Sequence, residues 1–221
     1  MANTSQTERI QPDRPTRALS ALDLRRVLNQ SWAYLSLMRL IGGDSCTRRL
    51  AAEVLRAQPG QRVLDVGCGP GRLLAFLPDV SYVGIDASAS YLATARARFP
   101  QSRFEQLDLE GDCSTFPDRD FDLIVAIGIL HHLPDAAAAR LFAFSHERLR
   151  VGGRLVTLDG VYWRGQHPAA RLLISLDRGR FVRSASGYGS LARSAFTNVE
   201  TTRYEDLLRV PYSHICLECR K

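Results

Sequence analysis

From residue 62 onward the hydrophobic positions switch repeatedly between a strand period and a helix period. Short apolar runs of strand type fall at residues 63–66, 82–85, 103–107, 121–126 and 154–158. Between them the pattern turns helical at 71–76, at 90–99 with Ser88 placed to cap, and over an alanine-rich stretch at 135–150 closed by Gly152 and Gly153. Strands separated by helices predict a parallel sheet with right-handed crossovers. Two more strand-like runs, 198–204 and 214–220, are joined by a turn at Pro211. Ahead of the alternating region the pattern predicts three helices. One starts at Ala21 behind Ser20, one covers 31–40 and stops at Gly42-Gly43, and one covers about 46–58 and stops at Pro59-Gly60. Residues 1–17 are polar and read as a mobile tail. Residues 160–190 break the rhythm with an amphipathic helix over about 168–176, an arginine run and a small-residue run ending Gly187-Tyr188-Gly189. No linker or repeat divides the chain, so residues 18–221 read as one domain, with N-terminal helices at 18–58 and a cap insertion at 160–190.

Composition adds limits. With 221 residues, 45% hydrophobic and 24% charged, the chain can build an ordinary soluble core without staples. The net charge of +6 comes almost wholly from arginine, which leaves an anionic partner open. No apolar stretch approaches the ~20 residues of a membrane span. The five cysteines (Cys46, Cys68, Cys113, Cys216, Cys219) are odd in number, and the first residues lack a leader pattern, so a reduced, cytoplasmic setting is expected. Cys216 and Cys219 have C-x-x-C spacing but sit in a strand-type run. Residues three apart on a strand point to opposite faces, so no metal site is expected there.

The chemistry concentrates after the first strand, at Gly67-Cys68-Gly69-Pro70-Gly71-Arg72. Glycine lets the backbone approach a ligand where a Cβ would collide, and a following helix would offer its free N–H groups. Asp86 ends the second strand about 20 residues past the turn, where an acid can accept both hydroxyls of a ribose. Asp108 ends the third strand, with Leu107 and Leu109 beside it to flank a flat base. Together these describe an adenosine pocket. A dinucleotide fingerprint needs a small residue where Arg72 stands, and a phosphate-binding P-loop needs Lys-Ser/Thr after the glycines, so neither fits.

Several motifs then agree in order: Leu64-Asp65-Val66-Gly67-Cys68-Gly69-Pro70-Gly71, Gly84-Ile85-Asp86, Leu107-Asp108-Leu109, Phe121-Asp122-Leu123-Ile124, Leu130-His131-His132-Leu133 and Leu149-Arg150-Val151-Gly152-Gly153. The set resembles class I S-adenosylmethionine-dependent methyltransferases. The resemblance implies an α/β, Rossmann-like fold: a seven-stranded, mostly parallel sheet with its last strand antiparallel, helices on both faces and an N-terminal helical cap. It implies that Asp65, Gly67, Cys68, Gly69 and Gly71 meet the methionine part of S-adenosylmethionine, with Asp65 also accepting from turn N–H groups. Asp86 would hold the ribose, with Ala87 beside it, and Asp108 with Leu109 would read the adenine. Ile127 and Gly128 would line the pocket from the fourth strand.

A sulfonium carries an activated methyl, so the protein mainly orients a nucleophile. A base is needed only where the acceptor must lose a proton. His131 and His132 are the candidates, and both also fit a role in shaping the pocket. Trp32, Tyr34, Tyr162, Trp163, His167 and Tyr188 lie in segments expected to roof the site, chiefly as packing. Arg171, Arg178, Arg180 and Arg183 suit an anionic acceptor or a solvated face equally. No Asn/Asp-Pro-Pro-Tyr/Phe motif follows the fourth strand and no RNA-binding module is attached, which lowers nucleic acid as a substrate. The expected activity is methyl transfer to O or N, less so C, of a small molecule. A Rossmann-type NAD(P) oxidoreductase and a non-catalytic ligand-binding module are the alternatives. Arg72 opposes the first, and the intact Asp86 and Asp108 oppose the second.

Overall fold

The computed structural model describes residues 42–221 except 112, 114, 177 and 178. The tail, the helices expected around residues 21 and 31–40, and with them Trp32 and Tyr34, lie outside the described residues, as does Arg178. Helix α1 spans Gly43–Arg49 and widens into a π turn over Leu50–Leu55. It stops at Arg56, whose φ of +43° is left-handed. The core then runs β1 (Arg62–Val66), β2 (Ser81–Asp86), α2 (Ala89–Arg98), β3 (Arg103–Gln106), β4 (Phe121–Ile127), α3 (Asp135–Arg148) and β5 (Leu149–Tyr162). After it come α4 (Pro168–Leu176), β6 (Arg183–Ser184), α5 (Ala185–Arg193), β7 (Asn198–Tyr204) and β8 (His214–Arg220). No helix among the described residues is long and apolar enough to cross a membrane.

The strands form one sheet in the order β3-β2-β1-β4-β5-β8-β7, with the two-residue β6 paired to β5 off that path. The pairs among β1 to β5 are all parallel, and β8 runs antiparallel between β5 and β7. Alternation along the strands explains the layers. Leu64, Val66, Ile124, Ala126, Leu155 and Cys219 point to the face covered by α3 and α5. Val63, Leu123, Val125, Val156, Leu158 and Cys216 point to the face covered by α1 and α2. Cys216 and Cys219 therefore enter different layers, and burial pushes both thiols up to about 12.

Three elements depart from the sequence expectation. The run after the glycine turn is a single 3-10 turn at Leu73–Phe76, not a helix. Pro78 follows closely, and Leu77, the residue before it, is extended with ψ 153°. The dipole of a full helix is therefore missing at that turn. The glycine-bearing stretch around Tyr188 is a helix, α5, capped by the Ser184 hydroxyl accepting from Gly187 N–H at 3.2 Å. Burial of Tyr188 and Ala192 against α3 outweighs the low helix propensity of Gly187 and Gly189. Finally, β5 starts at Leu149, which shortens α3, and continues beyond Leu158 to Tyr162. Its extension pairs Asp159 and Gly160 with β8, and Val161 and Tyr162 with β6.

A buried cation secures the loop between β3 and β4. Arg148, near the end of α3, donates through Nη2 to the carbonyls of Cys113 (3.0 Å) and Phe116 (2.9 Å), and its guanidinium lies 3.9 Å from the Phe144 ring centroid. Burial pulls its pKa down from the usual arginine value. Replacing it orphans two loop carbonyls, whereas Arg150 makes its ion pair to Asp122 at the surface. Arg148→Met is expected to lose about 2–3 kcal/mol in urea unfolding, and Arg150→Met less than about 1 kcal/mol. Equal losses would show that the buried guanidinium does not hold this loop.

Candidate active site

The glycine turn leaves β1 at Val66 and is held from β2. Gly67 and Cys68 both donate their N–H to the Ile85 carbonyl, at 2.8 and 3.0 Å. Gly69 donates to Asp86 Oδ2 at 2.8 Å, while Asp86 Oδ1 accepts from Ser88 N–H at 2.8 Å. Gly67 has φ +72° and Gly69 φ +54°, both in the left-handed region. Their surroundings differ. A Cβ on Gly67 would stand 2.6 Å from Ile129 Cδ1, but one on Gly69 would meet nothing within 4 Å. Gly67 thus packs against the loop after β4, and the backbone at Gly69 borders open space. The Cys68 side chain is buried in the layer under α1 and α2, so only its backbone borders that space. Burial pushes its thiol far up.

Arg72 explains why the dinucleotide pattern fails here. Its Nη2 donates to the Gly43 carbonyl (2.7 Å) and to the Thr47 hydroxyl, and Nη1 lies 3.9 Å from Asp44 Oδ1. The position that a nucleotide fold keeps small instead pins α1 to the turn.

Asp65 does not accept from the turn as expected. The turn N–H groups are taken by Ile85 and Asp86, and the donor to Asp65 Oδ2 is the Tyr82 hydroxyl at 2.7 Å. Burial raises the Asp65 carboxyl to about 7; the Tyr82 bond opposes this and the Asp86 charge adds to it. Burial also raises Asp86, against its two backbone donors. A site with two such acids close together favours a cationic ligand.

The third strand end lies beside Asp86: Leu107 donates to the Asp86 carbonyl at 3.1 Å, and Gln106 Nε2 donates to the Ala87 carbonyl at 2.9 Å. Ala87 and Asp108 are exposed. Asp108 Oδ1 accepts from Glu110 N–H at 2.9 Å in a local turn. Leu109 points into the core, and its carbonyl accepts from Arg140 Nε at 3.3 Å. Asp108 faces outward there, while the Leu109 side chain does not.

Ile127 and Gly128 end β4 half-buried. Gly128, at φ +67°, donates to the Leu158 carbonyl at 2.8 Å. The following turn carries the two histidines, and they part company. His131 is buried, with Nδ1 2.7 Å from Asp159 Oδ1; His132 is exposed and lies against the His131 ring at 4.1 Å between centroids. The sequence reading gave Asp159 no role, although an acid ending an apolar strand run was its signal. Arg183 is committed elsewhere than to a ligand. It donates to the Leu130 and Leu133 carbonyls and pairs with Asp135 at 2.6 Å. Tyr188 is buried and donates to the Gly160 carbonyl at 3.0 Å. Trp163 lies under the Arg203 guanidinium, and His167 Nδ1 accepts from Ala169 N–H at the start of α4. Tyr162 lines a cavity of about 390 Å³ with Pro168, Arg171, Leu172 and Ser175. Arg171 stands 5.3 Å over the Tyr162 ring.

Comparison with known proteins agrees with this geometry. Residues 63–153 match the methyltransferase-domain family. A trans-aconitate 2-methyltransferase of Methylobacterium radiotolerans is 39% identical over 171 residues, covering 72% of this chain and 62% of the relative. Phosphoethanolamine N-methyltransferase 1 of Arabidopsis thaliana is 32% identical over 166 residues, covering 72% of this chain and 33% of the relative. The chain thus spans less than two thirds of the length of these relatives. A TehB-like methyltransferase structure from Corynebacterium glutamicum superposes with a TM-score of 0.64 at 21% identity, covering 87% of this chain and 99% of that one. Motif order, relatives and sheet topology converge: the chain carries a methyltransferase domain over residues 63–153 and is similar to the class I S-adenosylmethionine-dependent methyltransferases.

Proposed function

We propose that the protein transfers the methyl group of S-adenosylmethionine to an oxygen or nitrogen of a small-molecule acceptor by in-line displacement. The observation that carries this reading is the packing of Ile129 on Gly67, which sets the His131 loop directly against the glycine turn. The residues fit the cofactor. The open space over Gly69 admits the methionine part, and the acids at Asp65 and Asp86 suit its cationic groups. Each Asp86 oxygen already takes one N–H and keeps a lone pair for a ribose hydroxyl. Asp108 and the Leu109 backbone are the candidates to read the adenine, with Ala87, Ile127 and Gly128 lining the pocket. The bound cofactor supplies an activated methyl on a sulfonium. The chain's own task is to orient the acceptor and receive its proton. His131 is the candidate base; His132, exposed, is its ring neighbour.

The names of the relatives point to small acidic acceptors. Arg171, above Tyr162 at the cavity beside the end of β5, is the cation we assign to such an acceptor. Arg183, bound to carbonyls and Asp135, is not available for that part. Nucleic acid is not the substrate in this reading.

Three outcomes test it. Calorimetry on Asp86→Ala should show S-adenosylhomocysteine binding weakened at least about tenfold, the loss of one charge-assisted bond, and no NADH binding to the wild type. An unchanged affinity would mean that the ribose lies elsewhere. Asp65 is largely protonated below pH 7, and a cationic ligand favours its ionised form. Cofactor binding near pH 6.5 should therefore release a proton, seen as an enthalpy that varies with buffer, and affinity should rise with pH through about 7. Asp65→Asn should abolish both effects. In a screen of small acids, phosphates and amines for S-adenosylhomocysteine release, Arg171→Gln should raise KM for an anionic acceptor at least about tenfold and spare kcat. A loss confined to kcat would remove Arg171 from acceptor binding.

A further inference from the structure

We infer that Tyr82 is the positioning residue of Asp65: its hydroxyl holds Oδ2, so that Oδ1 is the oxygen presented to the cationic end of the cofactor. This rests on the methyl-transfer reading above and names the residue that prepares one of its acids.

The placement follows from the strands. In the β1–β2 register Asp65 stands beside Gly84, and Tyr82 stands beside Val63, one step back on the same face. Gly84 has no side chain to fill the space between them. A Cβ there would stand 2.8 Å from the Phe104 ring and 2.9 Å from Cys68 Sγ. The long Tyr82 side chain reaches along the strands in that layer and donates to Asp65 Oδ2 at 2.7 Å. Phe104, on β3, meets the Tyr82 ring edge-on, with centroids 5.7 Å apart and planes at 61°, and steadies the direction of the hydroxyl. Three neighbouring strands therefore aim one O–H at one oxygen.

Both partners are buried, Asp65 at 3% and Tyr82 at 6% exposure. An ionised carboxyl in such a place is costly unless it is hydrogen-bonded. Among the described residues Tyr82 is the one donor to Asp65, and the N–H groups of Gly67, Cys68 and Gly69 are taken by Ile85 and Asp86. With Oδ2 occupied, Oδ1 is the oxygen left for a ligand. Burial and the neighbouring acids push the Tyr82 phenol well above its ordinary value, so it keeps its proton and faces the carboxylate as a donor. Its bond lowers the Asp65 pKa, against the rise from burial and from Asp86.

The other ionisable groups around this layer are Asp86 on β2, Cys68 and Arg72 in the turn, Cys46 on α1 and Arg96 on α2. The two arginines direct their N–H groups to the carbonyls of Gly43 and Phe104. Tyr82 is thus the group that favours the charged form of Asp65. A ligand ammonium at Oδ1 then meets a carboxylate whose charge the phenol already shares. Without the hydroxyl, Asp65 keeps its proton to higher pH, and the same ammonium meets a neutral acid.

The test follows the Asp65 carboxyl by ¹³C NMR in the ligand-free protein, with Asp65→Asn assigning its signal. In the wild type it should titrate at about 7, and the Tyr82 Cζ signal should move with the same midpoint. Tyr82→Phe keeps the ring and removes the hydroxyl alone. It should raise the Asp65 midpoint by about one unit or more, the effect of losing a hydrogen bond to a charged group. S-adenosylhomocysteine affinity at neutral pH should then fall about fivefold by calorimetry, and its rise with pH should move upward by the same interval. In the Asp65→Asn background, Tyr82→Phe should change that affinity less than about twofold. An Asp65 titration that ignores Tyr82→Phe, or an equal affinity loss in the Asp65→Asn background, overturns the inference. Should Tyr82→Phe fail to fold, a wild-type Tyr82 Cζ signal that stays flat through the Asp65 titration overturns it as well. A wild type that binds no S-adenosylhomocysteine ends the methyl-transfer reading, whereas an unmoved titration with binding intact ends this inference alone.

Discussion

One carboxylate organises the end of the sheet at which the glycine turn lies. Asp86 takes the Gly69 N–H with one oxygen and the Ser88 N–H with the other, so the turn after β1 and the entry to α2 hang on one side chain. Three successive residues of the turn depend on β2, since Gly67 and Cys68 are fixed by Ile85 next door. Burial raises the pKa of this half-buried acid, and the two backbone bonds oppose the rise. The turn is thereby shaped before a ligand arrives, and binding need not meet the entropy of ordering it.

The wider site is built by fixing loops on one another. Ile129 rests on Gly67, Arg183 gathers the carbonyls of Leu130 and Leu133, and Phe181 binds the carbonyl of His131. Arg72 does the same on the other side, joining α1 to the glycine turn. Apart from the apolar Ile129 contact, each of these ties is made by an arginine or a main-chain amide. These contacts explain why basic residues are numerous near the site while few are placed to meet a substrate.

Much of this was legible in the sequence where period and punctuation agreed. The sheet strands, the opposed cysteines of β8 and the acids at strand ends followed from alternation and from the glycines. What was not legible depended on partners distant in the chain. Pro78 truncated the expected helix, a local effect that was readable but outweighed by the apolar run before it. Helix α5 formed across two glycines because Tyr188 is buried, which only the tertiary contact with α3 reveals. The donor to Asp65 is Tyr82, which the β1–β2 register sets opposite Val63, on the same face. Asp159 looked like any strand end until β4 and β5 were laid side by side. The two histidines were adjacent and equivalent as text, and only burial separated them.

The fan of bonds from Arg183 has a consequence for how such a protein can diversify. In the proposed reading the insertion is the place to alter acceptor preference, yet its chain is anchored through Arg183 and Phe181 to the turn that carries His131. Remodelling the insertion therefore strains the His131 turn along with it. Selection for a new acceptor must then either preserve that anchor or rebuild both parts together. If the insertion selects the acceptor and the His131 turn serves the reaction, as proposed, specificity and turnover are mechanically linked through Arg183 and Phe181.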